Sequence, residues 1–212
     1  MNILVLVSGG GTNLQALLDA EKDGCFRAKT KNDGSAKDSR EGHIAAVVSD
    51  RAGVYALERA RDTGIPALIE APDKKLTREE RREELSNRIL NIARNYQAEL
   101  IILAGFLSIL QGAILHEYEN RIINLHPALL PKYGGEGMYG LKVHEAVLAA
   151  GEKESGCTVH LVDAGTDTGP ILLQRKVPVL EGDTAESLAQ RIHKEEHVVI
   201  VEAAALMLLT KT

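Results

Sequence analysis

The chain of 212 residues is long enough to bury a sizeable core, and its 44% hydrophobic and 26% charged residues match an ordinary globular protein rather than a disordered one. The net charge of -5 argues against a polyanion-binding surface such as one for nucleic acid, although it leaves room for a local anion pocket. Two cysteines cannot build a disulfide framework, the N-terminal apolar run is too short for a signal peptide, and no apolar stretch approaches the roughly 20 residues that span a bilayer, so we expect a cytoplasmic protein without a membrane role.

The first half of the chain alternates between short apolar runs and helical patterns. Buried parallel strands are predicted where mostly apolar runs are bounded by polar or glycine-containing segments, at residues 2 to 7, 43 to 49, 66 to 70, 99 to 104 and 121 to 125. Apolar residues at helical spacing predict helices at residues 12 to 22, 54 to 62 and 78 to 96. Thr12 is the candidate cap of the first helix.

After residue 140 the alternation changes. A helix is predicted over residues 141 to 150, then two strand-like runs at 155 to 163 and 171 to 180 that form a hairpin-like pair, then a long helix from residue 183. The whole pattern predicts an α/β fold, a single-domain, doubly wound, Rossmann-like and mostly parallel sheet with helices on both faces. Residues 27 to 42 offer almost nothing to bury, and we expect a mobile surface insertion there.

Three consecutive glycines follow the first predicted strand in the stretch VSGGGTNLQ, residues 7 to 15. Backbone N–H groups of such a turn can converge on an anion, and a helix beginning at Thr12 would point its positive end at the same place. Leu14 stands where the dinucleotide fingerprint requires a third glycine, and no Gly-Lys-Ser/Thr follows, so the pattern favours a monophosphate. The alternative is that the glycines form only a tight turn.

Polar residues stand at the end of the fifth predicted strand, on the sheet edge where ligands bind. Asn124 and His126 are two residues apart and therefore point to the same side. An amide that donates to a developing oxyanion, beside an imidazole that moves protons, suits acyl transfer; a structural histidine beside an asparagine turn is the alternative. Asp163 and Asp167 lie in a glycine-rich loop from which a carboxylate can approach the imidazole, although turn formation is the alternative for Asp163.

In the order SGGGTNLQ, LAGFLSIL, NLHPALLPKY and TDTGP, the chain closely resembles the phosphoribosylglycinamide formyltransferases, folate-dependent enzymes of purine synthesis. The resemblance runs from residue 1 to Leu206, with residues 27 to 42 as its main gap. It implies one formyltransferase domain over residues 1 to 212, monomeric or homodimeric, which acts on small molecules with 10-formyltetrahydrofolate as co-substrate and without a metal.

The same resemblance implies roles for individual residues. The implied catalytic residues are Asn124, His126 and Asp167. The residues implied to bind glycinamide ribonucleotide are Gly11, Thr12, Asn13 and Glu196. Those implied to bind the folate are Arg78, Leu107, Ser108, Ile109, Leu110, Asn124, Asp163 and Asp167. The sequence departs from the family pattern at two places. Ser108 stands where many relatives have an arginine, and residues 133 to 144 form a longer segment in which His144 takes the place of a family histidine.

Three functional classes compete. The first is formyl transfer to glycinamide ribonucleotide. The second is another 10-formyltetrahydrofolate-dependent enzyme, such as a methionyl-tRNA formyltransferase or a formyltetrahydrofolate hydrolase, for which we expect an additional domain and no glycine turn. The third is a nucleotide-binding or oxidoreductase domain with Asp50 as ribose ligand, which leaves Asn124, His126 and Asp167 unexplained.

Two further features have a catalytic and a structural interpretation. HKEEH, residues 193 to 197, fits the inverted zinc-peptidase pattern, but a closed zinc site requires another ligand. We therefore expect a solvated helix face with Glu196 turned to the substrate. Cys157 lies in a strand pattern and is expected to be a core residue rather than a nucleophile.

Overall fold

The computed structural model describes residues 1 to 26, 41 to 73 and 75 to 209. The expected insertion at residues 27 to 42 lies outside this part of the chain, apart from its last two residues. The elements in chain order are β1 (Asn2–Val7), α1 (Thr12–Lys22), β2 (His43–Ser49), α2 (Tyr55–Asp62), β3 (Ala67–Ile69), α3 (Arg78–Asn95), β4 (Ala98–Leu103), α4 (Ala113–Glu117), β5 (Ile122–His126), α5 (Leu141–Ala149), β6 (Glu154–Leu161), β7 (Ile171–Pro178) and α6 (Ala185–Leu209). Of these described helices, none is both long and apolar enough to cross a membrane.

The predicted elements are present within a few residues at each end, with two differences. The short helix α4 was not expected, because five residues are too few to show helical periodicity. Thr12 is also not the cap of α1 but its first residue. Gly11 takes the capping position in a left-handed conformation with φ 74°, and no side chain in the described chain caps this helix.

One sheet of the order β3-β2-β1-β4-β5-β6-β7 contains every strand of the described chain. The pairs from β3 to β5 are parallel, whereas β6 pairs antiparallel with β5 and with β7. The predicted doubly wound, mostly parallel sheet is confirmed. The order reverses between β1 and β4, and in such sheets a crevice opens there at the carboxyl ends of the strands.

Both faces of the sheet are covered, as the apolar strands require. Along β1, Ile3, Val5 and Val7 pack into a cluster with α1, α2 and α6, while Leu4 and Leu6 pack into a second cluster with α3 and α4. All five are fully buried, and each contributes about 1.5–3 kcal/mol of hydrophobic stabilisation. This packing fixes the strand ends from which the loops of the crevice emerge.

Candidate functional site

A cavity of about 440 Å³ opens at the carboxyl ends of β4 and β5, beside the start of α1. Its wall includes the loop after β4, the segment at residues 135 to 141, the loop between β6 and β7, and one face of α6. Most of the residues predicted for the site line it: Asn13, Leu107, Ser108, Ile109, Leu110, Asn124, His126, Asp163, Asp167 and Glu196. Three others, Gly11, Thr12 and Arg78, lie outside the wall.

His126 ends β5 and is almost completely buried. Its Nε2 lies 2.8 Å from the carbonyl oxygen of Tyr133. Because a carbonyl only accepts hydrogen bonds, Nε2 carries a proton and donates it, which leaves Nδ1 as the nitrogen that gains or loses a proton. Nδ1 lies 3.5 Å from Oδ2 of Asp167, so a carboxylate stands ready to stabilise the imidazolium.

Asp167 carries its carboxylate from a left-handed backbone with φ 59°, a conformation that costs a non-glycine residue about 1–3 kcal/mol. The side chain is only 10% exposed, and its Oδ2 accepts a 2.9 Å hydrogen bond from the Gly135 N–H. Burial opposes ionisation, but the neighbouring rings of His160 and His126 and the Gly135 N–H outweigh it and hold the pKa of Asp167 below its ordinary value. The carboxylate is therefore ionised at neutral pH.

Asn124 connects Asp167 to a histidine that sequence reasoning missed. Its Nδ2 donates to Oδ1 of Asp167 at 3.3 Å and lies 3.1 Å from Nε2 of His160, the residue opposite it on β6. Because Nδ1 of His160 donates to the Leu161 carbonyl at 2.8 Å, Nε2 of the neutral ring accepts from Asn124. Both hydrogen bonds of the amide are longer than 3 Å, so the oxygen of a ligand in the cavity can replace one of these two acceptors. The signal in the sequence was a histidine inside an apolar strand.

The glycine turn after β1 is anchored to α2 through its carbonyl groups. The Gly9 carbonyl accepts from the Ala56 N–H at 3.2 Å, and the Gly10 carbonyl accepts from Nε of Arg59 at 2.9 Å. Since N–H and C=O point in opposite directions across a trans peptide, the N–H groups of Gly10 and Gly11 face away from α2. A Cβ on Gly11 would lie 2.6 Å from Cβ of Ala56, so only glycine permits this approach.

A chain of hydrogen bonds joins the start of α1 to α6. Oγ1 of Thr12 lies 2.6 Å from Nε2 of His193, whose Nδ1 lies 2.5 Å from Oε2 of Glu196. Nδ2 of Asn13 donates to the same Glu196 oxygen at 3.4 Å. The bond to Glu196 raises the pKa of His193, although burial opposes it. Sequence reasoning missed this role of His193, whose signal was its position one turn before Glu196 on the same helix face.

The zinc interpretation of residues 193 to 197 has no support from this arrangement. Both ring nitrogens of His193 are engaged, one with Thr12 and one with Glu196. Within the described ranges, no group of three or more His, Cys, Asp or Glu side chains could hold a metal ion.

Two buried atoms of the cavity residues have no hydrogen-bond partner in the described part of the chain: Oδ1 of Asn13 and Nδ1 of His144. A buried polar atom without a partner costs about 1–3 kcal/mol, so such atoms in a cavity wall indicate a polar ligand. Burial lowers the pKa of His144, and this effect outweighs the charge of Glu196, which raises it. The imidazole is therefore neutral.

The loop after β4 carries the residues from Leu107 to Leu110 and is held by two strand ends. The Leu107 N–H donates to Oγ of Ser8 at 2.9 Å, and Oγ of Ser108 donates to Oδ2 of Asp50 at 2.7 Å. Asp50 is buried and also pairs with Arg51, so it is not presented to a ribose. The oxidoreductase alternative therefore loses the residue on which it rested.

The remaining residues have structural partners. Oδ1 of Asp163 accepts from the Gly165 N–H at 3.0 Å and from Oγ1 of Thr168 at 2.7 Å, the turn arrangement given as its alternative. Arg78 begins α3 and pairs with Glu136, which lines the cavity. Burial raises the pKa of the Cys157 thiol to about 12, so it is a core residue and not a nucleophile.

The sheet and the cavity at its switch point make this a doubly wound α/β protein with a ligand crevice, and an amide, an imidazole and a carboxylate line that crevice. Comparison with known proteins gives the family. A family model described as "Formyl transferase" matches residues 1–204, and the chain belongs to that family.

Relatives and solved structures are similar along nearly the whole chain. A trifunctional purine biosynthetic protein adenosine-3 of Drosophila melanogaster is 43% identical over 205 residues, which are 97% of this chain and 14% of that protein. The phosphoribosylglycinamide formyltransferase of Escherichia coli (strain K12) is 38% identical over 202 residues, 94% of this chain and 83% of that one. The crystal structure of glycinamide ribonucleotide transformylase 1 from Symbiobacterium toebii superposes with a TM-score of 0.82 at 40% identity, covering 98% of this chain and 87% of that one. The chain thus spans only a small part of the trifunctional relative.

Proposed function

We propose that this chain transfers the formyl group of 10-formyltetrahydrofolate to the amine of N1-(5-phospho-D-ribosyl)glycinamide, giving formylglycinamide ribonucleotide and tetrahydrofolate. One observation carries the proposal: Asn13 and Glu196 line the same cavity as Asn124, His126 and Asp167. A phosphorylated amine bound at the first group therefore reaches the second. The names of the Escherichia coli and Symbiobacterium relatives agree with this reaction.

The acceptor is held through its phosphate and its amine. The N–H groups of Gly10 and Gly11, at the positive end of α1, provide donors for the phosphate, with Thr12 and Asn13 beside them. Glu196 is buried in the cavity wall and accepts from the substrate amine. Oδ1 of Asn13, which has no partner in the described chain, accepts a further substrate N–H. The amine attacks as the uncharged base, so it must lose its proton before the reaction.

Asn124 stabilises the negative charge that forms on the formyl oxygen. As the amine attacks the formyl carbon, this oxygen becomes an oxyanion and accepts from Nδ2 of Asn124. That amide exchanges one of its long bonds, to His160 or to Asp167, for a shorter bond to the oxyanion. A donor of this kind contributes about 3 to 4 kcal/mol to transition-state stabilisation in other acyl-transfer sites.

His126 carries the proton between the two nitrogens. Its Nδ1 takes the proton that the attacking amine releases and gives it to N10 of the folate, which leaves. Asp167 stabilises the intermediate imidazolium from 3.5 Å, and the carbonyl of Tyr133 fixes the ring. General acid and base help of this kind is worth roughly a hundred- to ten-thousandfold in rate. Most of the remaining acceleration comes from holding two substrates in one cavity.

The folate is held by the loop from Leu107 to Leu110 and by the loop that contains Asp163 and Asp167. Both loops line the cavity and offer backbone N–H and C=O groups beside apolar side chains, which suits a flat polar heterocycle. Arg78 would reach the folate at the rim, where its present partner Glu136 is half exposed and easily displaced.

The test is acceptor dependence. Purified protein is supplied with 10-formyltetrahydrofolate, and deformylated folate is followed with and without glycinamide ribonucleotide. We expect product only when the acceptor is present, together with formylated acceptor in equal amount. Equal product without the acceptor would identify a formyltetrahydrofolate hydrolase instead.

A further inference from the structure

The loop after β4, residues 104 to 111, has an irregular backbone and depends on side chains for its conformation. Hydrogen bonds reach it from three elements. The Leu107 N–H donates to Ser8 after β1 at 2.9 Å, the Ser108 hydroxyl donates to Asp50 after β2 at 2.7 Å, and the Gln111 N–H donates to a serine of α3 at 2.9 Å. Among these acceptors only Asp50 is charged, so its bond is the strongest of the three.

Asp50 is a buried carboxylate that the proposed chemistry does not use. Its side chain is 2% exposed. Nε and one terminal nitrogen of Arg51 donate to its two oxygens at 2.9 and 3.0 Å, which compensates the burial of the charge. Hydrogen bonding to Asp50 raises the pKa of Arg51, so the guanidinium stays charged. Of the two hydrogen-bonded residues Asp50 and Ser108, the described cavity wall includes only Ser108.

We propose that Asp50 is a positioning residue for the folate co-substrate and acts through Ser108, an inference that rests on the proposed function. The serine side chain is too short to replace the arginine that many relatives of this sequence carry there. Its hydroxyl instead donates to Asp50, a residue that is not part of the described cavity wall. The bond therefore fixes the orientation of the peptide groups on either side of Ser108. The folate can form hydrogen bonds with these groups only when they have that orientation. Asp50 itself does not line the described cavity, so it acts on the folate only through Ser108.

Replacing Ser108 separates this role from general stability. Ser108→Ala removes the hydroxyl and leaves the ion pair of Asp50 with Arg51 intact. We expect the KM for 10-formyltetrahydrofolate to rise about 3- to 10-fold, less than the roughly tenfold or more that direct loss of a hydrogen bond to a charged group produces, because the bond acts on the folate only through the loop. The KM for glycinamide ribonucleotide should stay within about twofold. Ser108→Thr keeps a hydroxyl and should restore most of the folate affinity.

The chain offers a matched control at the start of α6. Ser187 donates to Asp183 at 2.7 Å, and Asp183 is likewise held by two bonds from an arginine, Arg191. Ser187→Ala therefore removes a hydrogen bond of the same kind away from the folate loop. It should lower the thermal midpoint by as much as Ser108→Ala, or more, and leave the KM for the folate unchanged.

Asp50→Asn tests the other end of the bond. It weakens the acceptor of the Ser108 bond and should raise the same KM, and the double variant with Ser108→Ala should be no worse for that KM than the more damaging single variant, because both changes act on the same hydrogen bond. If Asp50→Asn does not fold, tetrahydrofolate binding to Ser108→Ala and Ser108→Thr by calorimetry replaces this comparison. Unchanged folate affinity in Ser108→Ala, or equal increases in both KM values, would overturn the inference. Wild-type protein without acceptor-dependent transfer would instead overturn the proposed function.

Discussion

Replacing Asp167 with asparagine tests the electrostatic part of the proposed mechanism. The substitution keeps the volume and an oxygen that can accept from the Gly135 N–H, which lies 2.9 Å away, so the loop should keep its conformation. It removes the negative charge 3.5 Å from Nδ1 of His126. Two unit charges at that distance attract by roughly 1 kcal/mol in bulk water and roughly 5 kcal/mol at an effective dielectric constant of 20. Since Asp167 is 10% exposed, we take an intermediate value of about 3 kcal/mol, roughly a hundredfold in turnover.

The assay is the initial rate of acceptor-dependent formyl transfer with both substrates saturating. Asp167→Asn should lose about two orders of magnitude in kcat with little change in either KM, because imidazolium stabilisation acts in the transition state. Asp167→Ala, or His126→Ala, should lower turnover at least about tenfold while circular dichroism shows a preserved fold. Asp183→Asn is the control, since that carboxylate also combines a backbone N–H with a cation but lies away from the cavity. It should lower the thermal midpoint and keep the turnover.

The pH dependence of turnover provides a second readout. The pKa of Asp167 is lower in the folded protein than in the unfolded chain. The carboxylate is therefore ionised at any pH above its unfolded pKa, and it becomes protonated only when the pH falls through the lower folded pKa. No loss of turnover above about pH 5 should therefore come from Asp167. A turnover of Asp167→Asn within about threefold of the wild type would refute the electrostatic role.

Three further predictions concern the acceptor end of the cavity. Gly11→Ala should destabilise the protein by about 2–4 kcal/mol in urea unfolding, because its φ is 74° and its Cβ would meet α2, whereas Gly9→Ala, with no atom within 4 Å of the new Cβ, should cost less than about 1 kcal/mol. Burial lowers the folded pKa of His144, so the unfolded chain binds the proton first and stability should fall as pH drops below about 6.5; His144→Gln should remove this part of the slope in unfolding experiments. The bond to Glu196 raises the pKa of His193 in the folded protein, so the ion pair of His193 with Glu196 is fully formed below about pH 6.5 and is lost as the pH rises through the folded pKa. The KM for the acceptor should rise over that pH range, and His193→Gln should make the rise smaller. An unchanged urea midpoint in Gly11→Ala would contradict the first prediction. An unchanged pH dependence of stability in His144→Gln would contradict the second, and an unchanged pH dependence of the acceptor KM in His193→Gln would contradict the third.

The amino-acid pattern alone predicts the sheet and the edge of it where ligands bind. The apolar runs are dictated by burial on both faces, so each β1 residue from Ile3 to Val7 was recognisable as core without knowledge of its partners. The site residues at or after the carboxyl ends of β1, β4 and β5 were recognisable because parallel strands bring their carboxyl ends to one edge. The sequence did not predict α4, because a helix of five residues is too short to show helical periodicity. It also gave the wrong cap for α1, because the general preference for threonine at that position does not hold here, where Gly11 is the cap.

Which atoms of those residues face one another depends on how distant elements pack. Nothing local in the sequence indicates that His193 bonds to Thr12, 181 positions away, or that Ser108 bonds to Asp50. The same holds for His160, which meets Asn124 through the antiparallel register of β5 and β6. Hydrogen bonds are short and directional, so they depend on the packed positions of distant elements, whereas strand and helix formation depends on patterns of neighbouring residues.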